Sequence, residues 1–461
     1  MENTKLQHQW GIPHADFIDF LFCEMNRKSI KYFILRNYEQ LPTSNSGKDV
    51  DIVIAPRSYS KVMESILDTM RHFGIHYYQI TQFDRMRCWY IMEHTKKFGI
   101  HIDIIENEIY KGFEFFSFNY LYQQVIPSKN FYVLNKPMDI VMLLVQNIVA
   151  YKSLKEKYRS LIANNYFTCK DNCDSEILHF WGNSKGQQMI ALLENKDFDA
   201  IVNHSKEFEK TAMKRIFVKH PISTILQVGR FLAGKFYRII WCPRKYWRFF
   251  AVEAPDGTGK TTFIENLILE LRKYYVSDKE RFCVHHFRPN IFPNLGAAGE
   301  RAGIMKQDKD FTNPHRAKPS NAFSSFLRML YYWTDYVIGI PLLLRKEVQY
   351  ERFSIYDRYI YDFVVDPKRS RINLPRWVRV TFARLVIQPQ IVFVLLADPD
   401  VIYKRKQELT KEEISRQLFE FKKLTSFGKH VVFIDANQDI DTMVGQATEI
   451  IMNRFLNKIR L

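Results

Sequence analysis

The strongest chemical signal is the segment Glu253-Ala254-Pro255-Asp256-Gly257-Thr258-Gly259-Lys260-Thr261-Thr262. The apolar run Phe249–Val252 before it reads as a strand, and Thr262 to Tyr275 after it reads as a helix. A loop at a helix N-terminus points free backbone N–H groups at an anion, and the helix dipole favours negative charge there. Glycines let that backbone come close. Lys260 is spaced to reach the β- and γ-phosphates of a nucleoside triphosphate, and the Thr261 hydroxyl to ligate Mg²⁺. The usual first glycine is replaced by the small Ala254. The expectation is ATP and Mg²⁺ as cofactors, bound by Asp256, Gly257, Thr258, Gly259, Lys260, Thr261 and Thr262.

A second constellation lies near the start of the chain. Asp49-Val50-Asp51 puts two carboxylates on one face of a strand, because strand side chains alternate with period two. Asp103, within Ile100-His101-Ile102-Asp103-Ile104, can supply a third from a neighbouring strand. Three converging carboxylates can hold Mg²⁺ for nucleotidyl transfer. The alternative is a pair of surface acids at a strand end.

The elements that must position these groups fall into three regions. Residues 1–134 mix short strands, Tyr32–Leu35, Asp51–Ile54 and Ile100–Ile105, with a helix over Ser60–Phe73. Residues 135–247 read as helical, from Pro137 through Tyr151 and again over Gln187–Phe217, followed by a connector helix over Ile222–Ile240. Over 248–461, short apolar runs alternate with helical stretches: Phe249–Val252, Phe282–Phe287, Ser354–Tyr356, Ile391–Leu396 and Val431–Ile434. That is the pattern of a parallel sheet covered on both faces. The expected class is α/β, with a helix-flanked parallel sheet at the C-terminus and an α+β domain at the N-terminus.

Composition agrees with a folded chain: 461 residues, 46% hydrophobic and 25% charged, exclude wholesale disorder. Six cysteines in this length are not a disulfide framework, and reduced thiols in a cytoplasmic protein are expected. Residues 1–11 are polar, so no secretory signal is expected there. The net charge of +17 is uneven. Residues 1–210 balance to zero, 211–250 hold nine basic residues and no acid, and 251–461 carry the remaining +8. A basic stretch can meet nucleic acid, an anionic membrane surface or a phosphorylated substrate. For 211–250 the alternatives are a helix packed between domains with solvated charges and a peripheral membrane contact. No groove-reading motif supports sequence-specific nucleic acid. An oligomer is compatible with the sequence.

With these residues in view, 250–461 resembles the thymidylate kinases. The loop resembles their Glu-Gly-x-Asp-Gly-x-Gly-Lys-Ser/Thr, and Asp357-Arg358-Tyr359 looks like their Asp-Arg-Tyr. Leu327 to Tyr332 resembles the helix lining the acceptor pocket, and Lys404, Arg405, Lys406 and Arg416 fall where the family has a basic lid. Ile434-Asp435-Ala436 resembles the end of its fifth strand. The resemblance implies catalytic roles for Lys260, Asp357, Arg358, Arg405 and Arg416, with Thr261 and Asp357 on the metal side. It also implies substrate contacts for Asp256, Arg288, Arg328 and Tyr359. For Arg405 and Arg416 a solvated helix face is the alternative. The thymine-binding positions differ: Asp362 stands for a serine, and Val365-Asp366-Pro367 for Ala-Tyr-Gln. This resembles the thymidylate-kinase-like proteins beside bacterial surface-glycan genes, and implies a nucleotide, sugar or glycan-phosphate acceptor.

Residues 30–165 resemble the nucleotidyltransferase superfamily through Asp-x-Asp, with Arg36-Asn37 where that pattern has Gly-Ser. Three functions follow: a kinase with an attached nucleotidyltransferase-like domain, a bifunctional enzyme, and a non-catalytic NTP-binding module.

Overall fold

In the computed structural model, residues 10–45, 49–83, 86–275, 281–293 and 321–459 are described, so most of the polar start lies outside them. The chain forms two compact units. One takes in residues up to Lys235, with short segments at 273–275 and 457–459; the other spans 236–272 and 281–456.

The first unit is α+β. Its central strands Val50–Ile54 and Phe98–Ile105 pair in parallel, with Asp51 beside Asp103. Met86–Glu93 lies antiparallel to Phe98–Ile105 and sets Cys88 beside Asp103. Tyr77–Phe83 and Tyr32–Ile34 extend the sheet on either side. Alternation decides what each face carries. Ile52, Ile54, Ile100, Ile102 and Ile104 enter a core with Phe17, Leu21 and Phe22 of the helix Ile12–Arg27 and with Val62, Ile66 and Met70 of the helix Tyr59–His72. Asp51 and Asp103, at odd numbers, take the opposite face. The helices Lys136–Leu144, Lys170–Glu194 and Ser205–Lys219 share one core with Phe33, Val53 and Leu134 of the sheet. The helical region and the sheet therefore bury their apolar surface together.

The second unit is a five-stranded parallel sheet. Its spatial order is Phe282–His286, Phe353–Asp357, Phe249–Glu253, Ile391–Leu396, Val431–Asp435. The run Ile-Val-Phe-Val-Leu-Leu at 391–396 is almost wholly buried, as expected of a strand covered on both faces. The strand leading to the glycine loop is central; its connection runs toward the edge strand Phe282–His286, and that of its neighbour Ile391–Leu396 runs toward the opposite edge strand Val431–Asp435. That topological switch point opens a crevice beyond the carboxyl ends of the strands. The helix Ala322–Gln349 packs Met329, Tyr336, Ile340 and Leu344 into the core of this unit.

Candidate functional site

At the carboxyl end of Phe249–Glu253 the backbone turns through Ala254-Pro255-Asp256 into Gly257 (φ +88°) and Gly259 (φ +93°), and the helix Lys260–Tyr274 begins at once. Both glycines stand in the left-handed region, where a Cβ is costly. At Gly257 a Cβ would also come within 2.9 Å of Lys406 Cβ. Around Gly259 nothing lies within 4 Å of that position. Thr258 Oγ1 is buried with no partner among the described residues. An open backbone cradle, an unmatched hydroxyl and the first-turn amides of a helix are a donor set suited to a polyphosphate.

Parallel register puts Asp357 beside Val252, so the next strand ends level with the loop. Lys260 Nζ lies against Asp357 Oδ1, and Asp357 Oδ2 stands 3.1 Å from His286 Nδ1. Burial, followed by Arg358, pulls the Lys260 ammonium below its ordinary range. Arg358 adopts φ +69°, unusual for a residue with a side chain. Its guanidinium donates to Asp256 Oδ1 and, at 2.8 Å, to Asp362 Oδ2. Arg369 Nη1 donates to Asp256 Oδ2 at 2.8 Å. Burial opposes ionisation of Asp256, but Arg358 and Arg369 hold its carboxyl below the ordinary range. Glu253 is 0% exposed, and Oε1 accepts from the Tyr359 amide at 2.7 Å. Burial, then Asp362, pushes its carboxyl well above the usual range.

The structure thus brings Asp256, Gly257, Thr258, Gly259, Lys260, Asp357 and Arg358 together. Thr261 and Thr262 are exposed on the first turn of the helix. Arg405 reaches the loop, donating to the Thr258 carbonyl at 3.4 Å. Arg416 is held by Glu413 and the Val365 carbonyl. Tyr359 is a core residue, its hydroxyl donating to the Ile387 carbonyl at 2.6 Å. Arg288 is buried, 3.2 Å from Asp335 Oδ2 and 4.5 Å above the Tyr332 ring. Arg328 lies half-buried on Ala322–Gln349, its Nε without a hydrogen-bond partner among the described residues. Sequence reasoning missed Arg369, His286 and Asp335. The last accepts the amides of Asn290, Ile291 and Phe292 and so fixes the loop after Arg288. Only the long-range fold pairs these residues.

In the first unit, Asp49, Asp51 and Asp103 each offer an oxygen, all within 4.8 Å of one another. Arg36, at the position expected to be glycine-serine, donates through Nε to Asp51 Oδ2 at 2.5 Å. Burial raises the Asp51 carboxyl to about 6 against the pull of Arg36. Asp103 Oδ1 lies 2.9 Å from His101 Nε2, and Cys88 joins His101 and Asp103 in a second group of that size. Oxygen ligands at this spacing fit a hard divalent cation.

A cavity of about 170 Å³ beside this site is lined by Arg36, Tyr38, Glu39, Asp139, Lys157 and Tyr158, among others. Tyr38 donates to Asp139 Oδ2 at 3.1 Å, and Oδ1 is buried with no hydrogen-bond partner among the described residues. Burial raises Asp139 to about 7. A raised carboxyl pKa costs stability as pH rises from the unfolded value toward the folded one. Asp139→Asn keeps an acceptor for Tyr38 and removes the titration. It should raise the melting temperature of this unit at pH 8 and have little effect at pH 4, with a gain of up to roughly 4 kcal/mol. Calorimetric scans at both pH values check this.

The sequence matches no protein-family model and no curated protein. Among solved structures it is similar to a thymidylate kinase from Ehrlichia chaffeensis, at 16% identity and a TM-score of 0.29, over 44% of this chain and 97% of that one. At that score the likeness says nothing about substrate or activity. The chain's own geometry defines the class: a parallel α/β unit with a phosphate-loop turn at its switch point, joined in sequence to an α+β unit.

Proposed function

We propose that the C-terminal unit transfers a phosphoryl group from ATP·Mg²⁺ to a phosphorylated acceptor, a nucleotide, sugar or glycan phosphate. The observation that carries this is Lys260, on a glycine cradle, meeting Asp357 and Arg358 at the ends of two adjacent strands. When bound, ATP supplies the phosphoryl group and Mg²⁺ offsets charge on its oxygens. The loop amides and Lys260 bind the phosphates, with Thr261 and Asp357 on the metal side. Arg358, beside Asp256, is set where incoming phosphate charge can be neutralised, and Arg405 lies near enough to help exclude water. Retention of these acceptor-side groups favours an enzyme over a non-catalytic NTP-binding module. An acceptor screen with labelled ATP, spanning nucleoside monophosphates and phosphosugars, tests the reading. No labelled product with any acceptor, from folded protein that binds ATP, would favour the binding module.

Thymidine monophosphate should be a poor acceptor. Asp362 is 1% exposed and bonded to Arg358, Val365 is buried, and Asp366 is buried and accepts the Arg369 amide at 3.4 Å. A site that does not match the base's hydrogen bonds discriminates strongly, because unmatched buried polar groups are costly. Steady-state kinetics should give kcat/KM below about 10⁴ M⁻¹s⁻¹. A higher value would restore a plain thymidylate kinase assignment.

For the N-terminal unit we propose a divalent-cation site at Asp49, Asp51 and Asp103, as nucleotidyl transfer would require. One observation favours a second reading, binding without turnover: Arg36 already neutralises Asp51. Mn²⁺ titration followed by paramagnetic resonance tests the site. Asp103→Asn should weaken binding at least about tenfold; equal affinity would remove the site. The bifunctional alternative requires nucleotidyl transfer that Asp103→Asn abolishes and Lys260→Ala leaves intact.

A further inference from the structure

The helix Pro221–Lys235 is packed with its less aliphatic face inward. Thr224 is buried, Gln227 Nε2 donates to Glu114 at 3.2 Å, and the Val228 backbone lies against Gly112, where an added Cβ would come within 2.6 Å of Val228 Cα. Phe231 falls on the same side. At about 100° per residue, Ile222, Ile225, Leu226, Gly229, Leu232 and Ala233 form the opposite face. That face is exposed: Ile222 75%, Ile225 60%, Leu226 58% and Leu232 58%. A helix lying on a globular core ordinarily turns such residues inward. Scattered surface aliphatics are ordinary, whereas a contiguous stripe marks an interaction surface.

The surrounding charge indicates what covers the stripe. Exposed Arg230 flanks the stripe on this helix and exposed Lys219 precedes it, whereas Lys235 falls on the side of Phe231, its ammonium 5.9 Å from that ring. Residues 211–250 hold nine basic residues and no acid. An aliphatic stripe bordered by cations matches a surface that presents acyl chains beneath anionic headgroups. Nucleic acid would use the cations and would gain little from aliphatics, since its bases stack on aromatic rings. Among the described residues no helix is long and apolar enough to cross a membrane, which fits a helix lying on one.

We propose that Pro221–Lys235 docks on an anionic lipid surface, with Ile222, Ile225, Leu226 and Leu232 entering the headgroup boundary and Lys219 and Arg230 meeting lipid phosphates. This inference is independent of the nucleotide site. Flotation of the full chain tests it, using phosphatidylcholine vesicles with and without phosphatidylglycerol. The protein should float only with the anionic vesicles and be released by salt. Ile225→Glu/Leu226→Glu should cut the bound fraction by roughly tenfold, and Arg230→Glu several-fold. Both variants change exposed positions, and an unchanged circular dichroism spectrum confirms that they fold. Folded wild type that fails to float, or floats equally with the double variant, overturns the proposal. So does binding to duplex DNA that the double variant retains while vesicles capture nothing. A wild-type dimer that the double variant dissociates, without flotation of either, would assign the stripe to a second copy of the chain instead.

Discussion

Lys260→Ala should lower ATP-dependent phosphoryl transfer by roughly 10²–10³-fold, the scale of losing one charged group that stabilises the transition state. The ammonium is the cation buried against the glycine cradle, so a surface lysine cannot replace it. Phosphoryl transfer leaves little covalent work to the protein, and positioning and charge carry most of the catalysis. Lys260→Arg should fail almost as badly, because a planar fork does not fit where a compact ammonium lies against Asp357. Lys260→Ala also leaves Asp357 with His286 as its remaining ion-pair partner among the described residues, so stability must be measured beside turnover. Isothermal titration with ATP·Mg²⁺ and a single-turnover assay with the best acceptor decide the matter. Unchanged affinity together with unchanged turnover would remove the nucleotide from this loop.

Some of this site was legible in the sequence because its signals are local. Gly257, Gly259 and Lys260 are within four residues of one another, and their spacing alone encodes a turn into a helix. The strand Ile391–Leu396 was legible for a similar reason, being continuously apolar and bounded. The antiparallel pair Tyr77–Phe83 and Met86–Glu93 carries no such signal. Its Gln79, Thr81 and Arg87 break the apolar run, and its pairing depends on a sheet assembled around it. The π-helical stretch Val145–Tyr151, continuing Lys136–Leu144, depends likewise on packing. Arg369 and Asp256 are 113 residues apart in sequence and meet only in the fold. The same holds for Arg36, whose pairing with Asp51 shows a fixed cation where the sequence pattern showed only a missing glycine.

Arg358→Ala should destabilise the C-terminal unit by about 3–5 kcal/mol, the cost of breaking a buried ion pair from one side. Its guanidinium neutralises Asp362, which is 1% exposed and whose Oδ1 has no hydrogen-bond partner among the described residues. Asp256 keeps Arg369, so the uncompensated charge falls mainly on Asp362. The left-handed φ of +69° stays in place with alanine, so relief of strain offsets none of the loss. Replacing both partners separates packing from chemistry. Arg358→Met/Asp362→Leu removes the buried charges together and should recover most of the stability in thermal melts. Phosphoryl transfer should stay down by roughly 10²-fold or more, since the group that faces incoming phosphate charge is gone. If the double variant recovers turnover along with stability, Arg358 is a structural cation, and acceptor charge must be met by another residue such as Arg405 or Arg369.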